Sequence, residues 1–187
     1  MDPVSTRRFE IFDRMLGLFP AGSVVDLGAG HGKFALWAAS RGWSATAVDA
    51  RSARFSEDST VTWVEQDVRR HDLAGYDLVL CLGLFYHLDL PDQLDLLARC
   101  KGKPIVIDTH VANGRSTHQV SEEETVGGYV GRWYREPGLV TSSWENPRSF
   151  WPTPESFYRM LQASGYAMTL AAEPWYLPDR TFFLALP

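Results

Sequence analysis

The run V-V-D-L-G-A-G-H-G-K, from Val24 to Lys33, limits what this chain can fold into more than any other stretch. Two β-branched residues lead to an acid, glycines then alternate at Gly28, Gly30 and Gly32, and a helical run F-A-L-W-A-A opens at Phe34. A strand, a tight glycine turn and a helix in direct succession form a unit whose turn holds a ligand. Glycine lets the backbone adopt positive φ and lets a ligand come close to main-chain N–H groups. A dinucleotide-binding turn is spaced G-x-G-x-x-G, with the pyrophosphate on the helix N-terminus. Here the third glycine comes early, and Asp26 stands two residues before the first, where its carboxylate would repel a pyrophosphate. A ligand with cationic groups and no phosphate suits the turn better. S-adenosylmethionine (SAM), with its ammonium and sulfonium, is therefore favoured over NAD.

The rest of the chain supplies a sheet around this turn. Phe9, Ile11, Phe12, Met15, Leu16 and Phe19 recur at roughly helical spacing, so the segment 1–22 holds a helix that docks on the sheet or roofs the ligand. Strands are expected from Ser23 to Leu27, Trp43 to Val48, Thr60 to Glu65, Tyr76 to Gly83 and Ile105 to His110. Helices are expected from Phe34 to Ser40 and from Asp92 to Cys100, the second entered through Pro91, whose missing N–H is no loss there. The fourth strand is a continuous apolar run, as burial on both faces requires. Thr153 is placed to cap a helix that has Pro154 at its first position and ends at Ala163. Tyr166 to Ala171 and Thr181 to Leu186 then complete the sheet as an antiparallel pair at its edge. Alternating strands and helices imply an α/β, Rossmann-like doubly wound sheet, one domain across all 187 residues.

Ligands of such sheets sit at the carboxyl ends of the strands. Asp26, Asp49, Asp67, Gly83 and Asp108 all fall there. Asp49, about 20 residues after the first glycine, suits the two ribose hydroxyls of an adenosine ligand. Asp67 can accept a hydrogen bond from an adenine amino group while Val68 packs the ring. Ala29, Ala50, Leu82 and Tyr86 are expected on the same wall.

A formal net charge of −5 gives no electrostatic case for binding nucleic acid. Cys81 and Cys100 lack metal-ligand spacing and read as buried thiols. There is no signal-peptide layout and no membrane-length apolar stretch, so a cytoplasmic protein is expected. The alternation stops after the fifth strand. Residues 111–152 carry Trp133, Trp144 and Trp151 with Tyr129, Tyr134 and Phe150, too aromatic for disorder. This insertion reads as a lid or substrate wall, in which Arg132, Tyr134, Trp144, Asn146 and Trp151 hold a sugar or a flat metabolite, or equally as a second small core. It also leaves a homodimer open.

These features resemble class I SAM-dependent methyltransferases over nearly the whole chain. The resemblance implies a seven-stranded sheet with a final antiparallel strand and a glycine loop, Asp26 to Gly32, cradling the methionine moiety. It also implies Asp49 on ribose and Asp67 at adenine. C-L-G-L-F-Y-H-L, from Cys81 to Leu88, is similar to the fourth-strand motif of the tRNA wobble-uridine methyl and carboxymethyl transferases. The Asp108-Thr-His110 strand end and the stretch Ser143 to Trp151 look closer to small bacterial methyltransferases of metabolites or sugars. The expected activity is O-methylation of a small hydroxylated acceptor such as a saccharide. RNA methylation and a non-catalytic SAM-binding module are the alternatives, the first disfavoured by the acidic balance.

Methyl transfer to a hydroxyl needs alignment and a way to make the acceptor nucleophilic. Asp108 and His110, two apart on a strand, project to one side. Three readings stay open: Asp108 orients His110 as general base, the pair ligates a divalent ion such as Mg²⁺, or it is structural. His118, Glu122 and Glu145 are the candidates for a third ligand. His87 caps, lines the pocket or acts as the base. His31 serves through its main chain, and His71 and His118 read as surface residues.

Overall fold

The computed structural model describes residues 3–174 and 177–187. In chain order the elements are α1 (Pro3–Leu16), β1 (Ser23–Leu27), α2 (Lys33–Ser40), β2 (Ser44–Asp49), β3 (Val61–Glu65), β4 (Leu78–Leu82), α3 (Leu90–Arg99) and β5 (Ile105–His110). There follow β6 (Glu124–Val126), β7 (Tyr129–Arg135), β8 (Arg148–Pro152), α4 (Pro154–Ala163), β9 (Met168–Ala172) and β10 (Arg180–Leu186). Seven strands form one sheet in the order β3-β2-β1-β4-β5-β10-β9. The first five are parallel, and β10 runs antiparallel to both β5 and β9. The final strand thus lies inside the sheet, and β9 alone forms that edge.

The alternation of side chains explains the layers. Along β1 and β4, Val24, Leu78 and Leu80 face one side, where Phe12 and Leu16 of α1 and Phe34 and Ala38 of α2 cover them. Val25, Val79 and Cys81 face the other, against Leu96 and Leu97 of α3 and Phe157 and Leu161 of α4. The crossovers after β2 and β3 contain only short 3₁₀ turns, Ser52–Arg54 and Val68–Arg70. Thr153 caps α4 by accepting from the Ser156 N–H, and Asp89 caps α3 by accepting from Asp92. Both cysteines are buried free thiols. Among the described residues no helix is long and apolar enough to cross a membrane.

Because β1 pairs with both β2 and β4, the chain reverses its winding direction beside β1, and a crevice opens above the strand ends there. The aromatic insertion is ordered. Its three strands form a separate antiparallel sheet, β6-β7-β8. This sheet is zipped onto the segment after β4: Phe150 donates its N–H to the Leu88 carbonyl, and Trp151 Nε1 donates to the Tyr86 carbonyl at 2.9 Å. Asn146 Nδ2 donates to the His87 carbonyl, and the buried Gln93 amide bonds the carbonyls of Phe85, Leu88 and Phe150. The insertion therefore fixes how Tyr86 and His87 are presented.

Candidate active site

The crevice is a cavity of about 330 Å³ over the glycine turn. Its wall includes Gly28, Ala29, Gly30, Asp49, Ala50, Asp67, Val68, Leu82 and Tyr86, so nine of the sequence-expected cofactor residues come together. The turn is left-handed where it must be. Gly28 and Gly32 have φ of 68° and 63°, and a Cβ would lie 2.9 Å from Leu84 at the first and 2.2 Å from the Trp63 ring at the second. The Gly28 and Ala29 N–H groups bond the Val48 carbonyl, tying the turn to β2. Asp49 completes the tie by accepting from the N–H groups of Gly30 and Arg51, each at 2.9 Å. A carboxylate has about four acceptor positions, so both oxygens keep capacity for a diol.

Asp26, the tenth expected residue, lies beneath the turn at 2% exposure. Its Oδ2 is buried and has no hydrogen-bond partner. Burial, with the nearby charge of Asp49 adding to it, pushes its carboxyl up to about 7. Asp67 is differently placed from expectation. Its carboxylate is held by Arg69 through Nε and Nη2 and by the Arg69 N–H, so its oxygens are already engaged in an ion pair. Trp144, stacked under the Arg51 guanidinium, also lines the cavity. Arg51 in turn donates to the carbonyls of Ser142 and Ser143.

The expected couple of Asp108 with His110 does not form. Asp108 is fully buried and takes a forked pair from Arg180, Nε at 2.6 Å and Nη2 at 3.0 Å, and a further bond from Arg8 Nε at 2.8 Å. Burial alone would raise this carboxyl, but the two guanidinium charges outweigh it and hold it below the usual carboxylate range. An acid so engaged neither orients a histidine nor ligates an ion. His110 instead faces Asp179, with Nδ1 3.1 Å from Oδ1, and Arg180 Nη1 stands 3.3 Å from its Nε2. Burial and the Arg180 charge pull the imidazole below its usual range against the attraction of Asp179. His110 stacks on Trp151 behind Tyr86 and is not part of the cavity wall.

His87 is on that wall. Its Nδ1 is 3.0 Å from Oε1 of Glu136, at the end of β7. Glu136 is buried and is also held by the Ser149 hydroxyl and the Ser143 N–H. Burial raises its carboxyl, but the bond from His87 and those from Ser149 and Ser143 more than offset this and keep it below the usual range. Among the described residues Nε2 of His87 makes no hydrogen bond.

Residues 5–171 match the sequence profile of a family described as a methyltransferase domain. The chain belongs to that methyltransferase family. No curated protein matches it. Among solved structures it is similar to the N-terminal domain of EvdMO1, crystallised in the presence of S-adenosylhomocysteine (SAH) and D-fucose. The identity is 23% and the TM-score 0.73, over 96% of this chain and 80% of that one. It is also similar to the Burkholderia thailandensis 1,6-didemethyltoxoflavin N1-methyltransferase (19% identity, TM-score 0.64, 96% of this chain and 75% of that one). A third is the glycopeptide N-methyltransferase MtfA in complex with SAH (18%, TM-score 0.62, 95% and 86%). These likenesses carry the fold, a class I methyltransferase sheet.

The residues of the crevice fit SAM as the methyl donor. The partnerless Asp26 oxygen suits an ammonium and Asp49 a ribose diol, and the turn glycines let Leu84, Arg54 and Trp63 pack against the loop backbone where a Cβ would clash. The substrate residues expected from sequence scatter. Of the five, only Trp144 borders the cavity. Trp151 is core at 1% exposure, Tyr134 stacks on it, and Asn146 is engaged with main-chain carbonyls. Arg132 donates to the Ser121 carbonyl on the insertion surface. Three residues of the site escaped sequence reading: Arg8, Glu136 and Arg180. Only the antiparallel register that sets Arg180 opposite His110 could have revealed the last.

Proposed function

We propose that this methyltransferase methylates a hydroxyl of a small acceptor, a saccharide or a similarly hydroxylated metabolite, with His87 as general base. The observation that carries this reading is the His87–Glu136 pair on the cavity wall. A neutral amine attacks a methyl group with its own lone pair, whereas a hydroxyl has to give up its proton as it attacks. A histidine with one nitrogen held by a buried carboxylate and the other unpaired meets that need. The aromatic face of Trp144 on the cavity wall suits a small ring-shaped acceptor. The D-fucose present with the structurally similar EvdMO1 domain supports a sugar.

SAM, when bound, supplies a methyl group on a sulfonium, whose S–C bond breaks as the new O–C bond forms. Everything else falls to the chain. Glu136 keeps the proton on Nδ1 of His87, so the lone pair on Nε2 takes the hydroxyl proton. The Glu136 charge then stabilises the imidazolium. Tyr86, with Arg180 5.1 Å from its ring centroid, walls the site beside it.

His87→Ala is expected to lower kcat by about 10²–10⁴-fold, the usual span for a lost base. SAH affinity should stay within twofold by calorimetry. Glu136→Gln should lower kcat less and shift the pH–rate profile, as a positioning residue would. A His87→Ala enzyme with wild-type turnover would overturn the assignment.

A further inference from the structure

A second cluster lies outside the cavity and has no part in the reaction above. We propose that His110, His118 and Asp179 form a binding site for one divalent transition ion of the zinc type, which clamps the insertion to the sheet. The three residues come from three segments: the end of β5, the insertion ahead of β6, and the turn leading into β10. One ligand atom from each lies within 4.8 Å of the others. Asp179 presents Oδ1 to His110 Nδ1 at 3.1 Å and Oδ2 to His118 Nδ1 at 3.0 Å. Donors bound at about 2.0–2.2 Å around one ion stand roughly 3 Å apart.

The second observation is His110 Nδ1 itself. The residue is 7% exposed, and this nitrogen is buried and makes no hydrogen bond, although the Asp179 oxygen is so close. The pair is off the line a hydrogen bond needs. A buried donor or acceptor left without a partner is destabilising. An ion shared by the two groups removes that cost.

The surroundings hold the donors in place as outer partners of a metal site do. Trp151 stacks on the His110 ring at 4.7 Å with 9° between planes. The Ser116 hydroxyl donates to Asp179 Oδ2 at 2.5 Å. An ion on His110 Nδ1 leaves the ring proton on Nε2, so Arg180 Nη1, 3.3 Å from that nitrogen, has to give up this contact while its Nε and Nη2 stay on Asp108. Two imidazoles and one carboxylate select a zinc-type ion, whereas Mg²⁺ wants oxygen donors. His118 is 40% exposed, so a fourth position is open to water on that side.

Calorimetry of the metal-stripped full chain with Zn²⁺ tests this. We expect one ion per chain at micromolar affinity or tighter, a raised melting temperature, and no saturable heat with Mg²⁺. Co²⁺ at the same site should give a visible ligand-field band. His118→Ala alters a half-exposed side chain. It should weaken Zn²⁺ at least tenfold and remove the Co²⁺ band while SAH affinity is unchanged. No saturable Zn²⁺ binding, or a His118→Ala protein that binds as the wild type does, would overturn the site, as would Mg²⁺ binding of equal strength.

Discussion

Asp26 shows how a single buried acid ties stability to pH. Its carboxyl is pushed from the ordinary 3.8 to about 7, first by burial. Between those values the folded chain holds a proton that the unfolded chain has released, so stability falls as pH rises through that window. The full effect of such a rise is roughly 4 kcal/mol. Asp108 and Glu136 act with the opposite sign, since both are held low. Their stabilisation is present above the usual carboxylate range and is lost as pH falls through their folded values. Asp26→Asn should therefore be more stable than wild type near pH 7.5 and nearly equal near pH 4, as read by urea denaturation at both. An equal difference at both values would contradict the account of Asp26. Sequence placed Asp49 on the crevice wall because it sits at a fixed offset from the glycine turn, but it did not show that Asp26 lies buried beneath that turn. It misread Asp108 because alternation gives the side a residue faces but not the partner there. The arginines that claim this acid are 72 and 100 positions away.

The same contrast holds for elements. β1, β4, β5 and the cap of α4 were legible, because apolar runs and a Thr-Pro start encode burial and helix entry locally. The insertion was not. β6 is short, and β7 reads Y-V-G-R-W-Y-R with no clean alternation, because its residues pack partly on α4 and partly face outward. Aromatic content predicted order there, and a wall for substrate or a small core were both open. The structure makes Trp151 core, stacked between His110 and Tyr134 at 4.7 Å and 5.0 Å. Trp151→Ala should accordingly destabilise the protein by about 3–5 kcal/mol, the usual loss for a large buried aromatic. Denaturation in urea measures it. A variant with unchanged stability but a raised acceptor KM would instead make Trp151 a substrate contact.

Across the whole molecule, a parallel sheet with its winding reversal beside β1 places one crevice over the glycine turn, and the insertion adds the outer wall. The sheet brings Asp49 to the crevice wall and sets Asp26 beneath the turn. The insertion brings Glu136 behind His87 and Trp144 onto the cavity wall. On the proposed function, the donor is held by the sheet half of the architecture and the acceptor chemistry lies with the inserted half. The two can be separated by experiment, since changes at His87 or Glu136 should leave the donor site intact. The central claim is that the turn and Asp49 together hold the adenosyl donor. Calorimetric titration with SAH of the wild type and of Asp49→Ala tests it most directly. The account predicts one site of micromolar affinity in the wild type, weakened at least tenfold in Asp49→Ala. Equal affinity in the two proteins, or no binding by the wild type, would contradict it.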